Sequence, residues 1–235
     1  MLRAILFGFS GVLVDDQPLH LGLFRRVLAE DDIELSDAEY SELYQSRNDK
    51  DFLSAVLRAR GQRFDEALLM RLLTRKASYF REQIRVEGFP FFPGALQLVR
   101  KAAEESFTLG VVSRALRGEI EVALEQPAVG GLFKVVVSAE DVEETKPDPE
   151  AYRRALSDLN SVPPLPSRLY HPHEVLAVEN SVSGLAAARA AGLVTLGVSH
   201  SSSREGLAGA DLVVGGLGEV RLDVLQQQLA EASRS

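Results

Sequence analysis

A few residues could do chemistry together, because each follows a short apolar run or lies in a loop beside one. They are Gly8 and Ser10 in "AILFGFSGVLVDDQPLH", Ser113 and Arg114 in "VVSRA", Lys146 in "EETKPDPEAY", and Glu179 with Asn180 in "AVEN". Hydroxyls, two cations, one carboxylate and an amide suit the holding of an anion such as phosphate. The first of these turns is the odd one. A buried strand running into a glycine turn is where a nucleophile would be presented, yet Gly8 has no side chain and Ser10 is a poor acid.

The elements that must position these residues are legible as two kinds of pattern. "AILFGF", "FTLGVVS", "KVVVS", "VLAVE", "VTLGV" and "DLVVG" are too apolar to keep one wet face, which predicts parallel strands covered by helices on both sides. Ser181 is placed to cap "VSGLAAARAAG" up to Gly192, and Asp148 to cap a helix with Pro149 at its first position. Between the first strand and the rest, the spacing is helical. Leu19, Leu23 and Val27 share a face; Ser36 and Glu39 make a capping box; Asn48 caps a helix stopping at Gly61; Asp65 opens a long one ending before Gly88. The expectation is an α/β fold: a Rossmann-like, doubly wound parallel sheet core at 1–16 and 88–235, interrupted by an all-helical cap domain at 17–87. In such a sheet ligands sit outside the carboxyl ends of the strands, where the residues above gather. Only the tail "LAEASRS" is expected to fray.

With the motifs in this order, the chain resembles the haloacid dehalogenase superfamily of phosphohydrolases, and within it the β-phosphoglucomutase-like and phosphoglycolate phosphatase-like proteins with a helical cap. "FGFSGVLVDDQPLH" is similar to the family's first motif, "VVSRA" to the second, "TKPDPEAY" to the third and "AVENSVSGLAAARAAG" to the fourth. The resemblance implies that Ser113 holds a transferring phosphate and that Lys146 neutralises it. It also implies that Gly8 stands where the family has its aspartate nucleophile, Ser10 where it has the acid/base aspartate, and Asn180 where it has a metal-ligating aspartate. Phosphoryl transfer through an aspartyl-phosphate needs that nucleophile, an acid for the leaving oxygen and Mg²⁺ to collect charge. Glu179 alone is a poor Mg²⁺ site. The expectation is therefore a catalytically silent site with no cofactor, in which Ser113, Arg114 and Lys146 bind inorganic phosphate or a small phosphorylated metabolite. A protein partner stays open.

The alternative is a Mg²⁺-dependent phosphohydrolase or phosphoglucomutase-like enzyme using another carboxylate, Asp15 or Asp16. In the family an aspartate at the position of Asp15 is usual, so its plainer role is to fix the turn into the cap. Lys146 likewise has a plainer role, a salt bridge to Glu179.

Composition bounds the partners. A 235-residue chain that is 46% apolar can build a real core, and a net charge of −8 argues against nucleic acid or an anionic membrane as partner. The absence of cysteine removes thiol chemistry and disulfides, which makes the cytoplasm the default compartment. "MLRAILFGFSGVLV" imitates a secretion signal, but Asp15-Asp16 follows it where a small-residue cleavage site belongs. Two weaker features complete the reading. His171 and His173 have the spacing of metal ligands without a third nearby in sequence, and Arg47 or Lys50 in "YQSRNDKD" could reach a second anionic group.

Overall fold

The computed structural model describes residues 1–44 and 47–232, apart from the side chains of 229–232. It divides into two compact units: Met1–Asp15 with Phe91–Ser235, and Asp16–Pro90.

The first unit is built on six parallel strands: β1 (Ala4–Phe7), β2 (Thr108–Val112), β3 (Phe133–Val137), β4 (Val175–Glu179), β5 (Val194–Val198) and β6 (Leu212–Val214), in the order β3-β2-β1-β4-β5-β6. Every residue of β1 and of β4 is buried, as runs without a polar face require. The helices of this unit are α5 (Ala95–Glu104), α6 (Arg117–Leu124), α7 (Glu150–Ser161), α8 (Val182–Ala190) and α9 (Leu222–Ala232). Leu6, Val112, Val137, Tyr152, Leu159 and Ala188 share one core. The strand order reverses direction between β1 and β4, so the crevice at their carboxyl ends is the topological switch point where ligands bind in such sheets.

The second unit is helical: α1 (Gln17–Ala29), α2 (Asp37–Tyr44), α3 (Asp49–Ala59) and α4 (Glu66–Glu87). Its core gathers Phe24, Tyr40, Phe52, Leu53, Leu69 and Leu72. The caps follow the sequence: Glu39 N–H donates to Ser36 Oγ while the Glu39 carboxylate accepts from Ser36 N–H, Asn48 Oδ1 accepts from Asp51 N–H, and Asp65 Oδ1 accepts from Leu68 N–H.

Three details differ from the sequence reading. Strand β1 stops at Phe7, because from Gly8 onward the backbone curls into a turn. Helix α7 starts at Glu150, with Pro149 at the cap position rather than inside; Asp148 Oδ1 accepts from Glu150 N–H at 2.8 Å and so holds the turn one residue later. Helix α9 runs through Ala232, into the stretch expected to fray; residues 233–235 lie outside the described residues.

Candidate functional site

The β1 turn is compact. The Phe9 carbonyl accepts from the N–H groups of Val12, Leu13 and Val14, and Gly11 adopts a left-handed conformation with φ +74°. Gly8 N–H donates to Val178 O at 2.9 Å, which pins the turn to β4. Gly8 itself is not left-handed. What crowds it is Val12: a Cβ added at Gly8 would lie 2.8 Å from Val12 Cγ2 and 3.3 Å from Val178 O, and Val12 is fully buried. Ser10 is exposed in the same turn.

At the end of β2, Ser113 is buried and its Oγ accepts from Ala115 N–H at 3.0 Å, leaving its own proton to donate. Arg114 points to solvent and makes no ion pair among the described residues. Lys146 turns inward instead. Its Nζ donates to Val112 O at 3.0 Å and to Glu179 Oε1 at 2.5 Å, with the two charged side chains only 8% and 3% exposed. Tyr152 donates to the same Glu179 oxygen at 2.5 Å. Burial first, and the Glu179 charge second, push the Tyr152 phenol well above its ordinary pKa, so it stays a donor.

Asn180 follows at the β4 terminus. Its Nδ2 donates to Ser201 Oγ at 3.0 Å, and Ser201 Oγ donates to Gly11 O at 2.8 Å. His200 Nε2 meets the same carbonyl at 2.9 Å and its ring stacks on Phe92 at 3.7 Å. Burial pushes the His200 imidazole below its usual value, against the opposing pull of Gly11 O and of the Asp15 charge.

Lys146 and Glu179 are thus brought together, and Gly11 and Asn180 are joined through Ser201. Arg114 stays exposed and has no ion pair or side-chain hydrogen bond among the described residues. The sequence reading missed Tyr152, His200 and Ser201. "SHSSS" directly after "VTLGV" was the available signal, since the rule that picks the carboxyl ends of the other strands applies equally to β5.

The weaker features have local partners. His171 and His173 stack ring on ring at 5.7 Å, and among the described residues they belong to no cluster of metal-ligating side chains. Within the helical unit, Arg47 donates to Leu43 O and Lys50 pairs with Glu66; of "YQSRNDKD", residues 45 and 46 lie outside the described residues. Asp15 is exposed, while Asp16 is buried 3.6 Å from His20. Lys76, also buried, is held by Asp49. None of the described helices is long and apolar enough to cross a membrane.

Residues 5–198 match the family model of the haloacid dehalogenase-like hydrolases. The chain belongs to that family. Among haloacid dehalogenase-like proteins it is 27% identical over 217 residues to Protein CbbY of Rhodobacter capsulatus, covering 89% of this chain and 91% of that one. The crystal structure of CbbY from Rhodobacter sphaeroides in complex with phosphate superposes with a TM-score of 0.80 at 25% identity, over 93% of this chain and 96% of that one. A β-phosphoglucomutase from Clostridium difficile shares the fold over the full length of both chains, with a TM-score of 0.80 at 20% identity.

Proposed function

We propose that this haloacid dehalogenase-like protein is catalytically silent and binds inorganic phosphate or a small phosphorylated metabolite of the phosphosugar class without a metal. The observation that carries the reading is the β1 turn. Gly8 offers no side chain, the space a Cβ would need is taken by Val12, and Ser10 brings no carboxyl group. Loss of a nucleophile from such a constellation costs on the order of 10⁶ in rate, and here the acid is gone as well.

The Mg²⁺ that enzymes of this family typically use does not suit the residues present. Hard divalent cations want carboxylate oxygens and water. Gly8 and Ser10 supply none, Glu179 Oε1 already receives Lys146 and Tyr152, and Asn180 turns its NH₂ group toward Ser201.

Phosphate would meet donors instead. Lys146 has spent two of its three N–H groups on Val112 O and Glu179, which leaves one, and Ser113 keeps its hydroxyl proton. Arg114 supplies the uncompensated charge, and the first N–H groups of α8 lie beyond Ser181, whose Oγ accepts from Gly184 N–H at 3.0 Å. The likeness to a CbbY crystallised with phosphate supports this choice of ligand.

The test is linkage. A ligand that binds only the folded chain raises its melting temperature. Phosphate should do so relative to chloride at matched ionic strength, and Ser113→Ala and Arg114→Ala should each shrink the shift. Identical melting temperatures in the two anions would contradict phosphate binding.

A further inference from the structure

The Gly11 carbonyl receives two side-chain hydrogen bonds, one from His200 Nε2 and one from Ser201 Oγ. A carbonyl oxygen only accepts, so the direction of each bond is fixed. His200 carries its proton on Nε2, and the single hydroxyl proton of Ser201 is committed to Gly11. Ser201 can then meet residue 180 only as an acceptor, 3.0 Å from Asn180 Nδ2. Position 180 must therefore present a donor. An ionised aspartate there would leave Ser201 with two acceptors and one proton.

The rest of the segment holds this arrangement in place. Ser199 donates to Val214 O from both its N–H, at 3.0 Å, and its Oγ, at 3.1 Å. Ser202 Oγ donates to Asn180 O at 2.5 Å. The His200 ring lies on Phe92 with planes 15° apart, and Phe92 N–H donates to Leu13 O in the same β1 turn. Gly11 has no Cβ for a reason visible here: one built on it would lie 2.1 Å from Asn180 Nδ2, so the amide rests against the glycine backbone.

We infer that Ser199–Ser202 is a clasp that joins the β1 turn to the β4 terminus by neutral hydrogen bonds, with Ser201 and His200 as positioning residues and Asn180 as the donor that Ser201 requires. The clasp does the work of tying two strand ends together with the opposite polarity from a cation site: it needs N–H at position 180, where a metal would need a lone pair. This inference rests on the metal-free reading of the site and adds to it the residues that make metal unnecessary.

The experiment is a double-mutant cycle on the full chain in chelator, with Asn180→Asp, Ser201→Ala and the pair, read as melting temperature. Each bond of this kind is worth about 1 kcal/mol, which for a chain of this size is a shift of roughly 2–4 °C. Asn180→Asp should lower the melting temperature at neutral pH and much less at acid pH, where the protonated carboxyl again supplies a donor. In the Ser201→Ala background the Asn180→Asp penalty should largely disappear. Additive shifts, or an Asn180→Asp penalty that ignores pH, would overturn the clasp. A separate arm adds millimolar Mg²⁺ to the wild type: no change is expected, and a rise would overturn the metal-free reading whatever the cycle in chelator gives.

Discussion

Lys146 and Glu179 form a closed ion pair at 2.5 Å whose two side chains are almost fully buried. The cation that the motif resemblance assigns to phosphate is therefore already neutralised by its neighbour. This bears on both stability and binding.

Removing one partner of a buried pair strands the other charge, which costs about 3–5 kcal/mol. Lys146→Met should therefore destabilise the chain by that amount, because among the described residues Glu179 then keeps only the Tyr152 hydrogen bond. Urea unfolding of the variant against wild type measures it; a loss under about 1 kcal/mol would show that the pair is not the internal anchor described.

Binding should respond in the opposite sense to the other partner. In Glu179→Gln the amide oxygen can still accept from Tyr152, while Lys146 regains a full uncompensated charge. Phosphate should then bind more tightly than to wild type, read by calorimetric titration at fixed ionic strength. Weaker or unchanged binding would mean that Lys146 does not face the anion.

The fold was legible where local physics decided it. Runs such as "VLAVE" and "VTLGV" became β4 and β5 without a residue's difference, because strands buried on both faces read as nearly continuous apolar runs with no alternating wet face to blur the pattern. Ser36, Asn48, Asp65 and Ser181 all cap as their spacing predicts. Helix α6 carried no such signal, since Leu116 at its cap position offers no side-chain bond. In the site, the strand-end residues could be named from their motifs, but the pairing of Lys146 with Glu179 rather than with solvent depends on burial. The Ser201 relay depends on β5 lying beside β4 and on which way one hydroxyl proton points, and neither is written in a single stretch of sequence.

Acid should loosen the start of β4. Glu174, just before that strand, is pulled down to about 2, first by Arg168 and then by the His171 N–H, with Arg3 adding to both. A carboxyl group lowered in the folded state stabilises above its ordinary value and loses that contribution as pH falls toward the folded one. Glu174→Gln should therefore be less stable than wild type at neutral pH, and the gap should close between about 4.5 and 2. A gap constant over that window would assign the effect to packing instead.

Reversion of the chemistry should be strongly non-additive. Gly8→Asp forces its new Cβ against Val12, an overpacking cost of about 1–3 kcal/mol, and by itself gives a nucleophile without a metal. Gly8→Asp, Ser10→Asp and Asn180→Asp together should produce Mg²⁺-dependent hydrolysis of small phosphate esters that no single variant shows. A folded, inactive triple variant would mean that more than these side chains has changed.

The central claim is that the wild-type β1 turn has no catalyst, and turnover of p-nitrophenyl phosphate by the repurified wild-type chain, with Mg²⁺ and with chelator, tests it most directly. Hydrolysis should be no faster than in buffer in either condition, and the same should hold for a panel of phosphosugars. Hydrolysis that persists through repurification, is abolished by chelator and falls with Asp15→Asn would contradict it, and would place the nucleophile on a carboxylate beyond the turn.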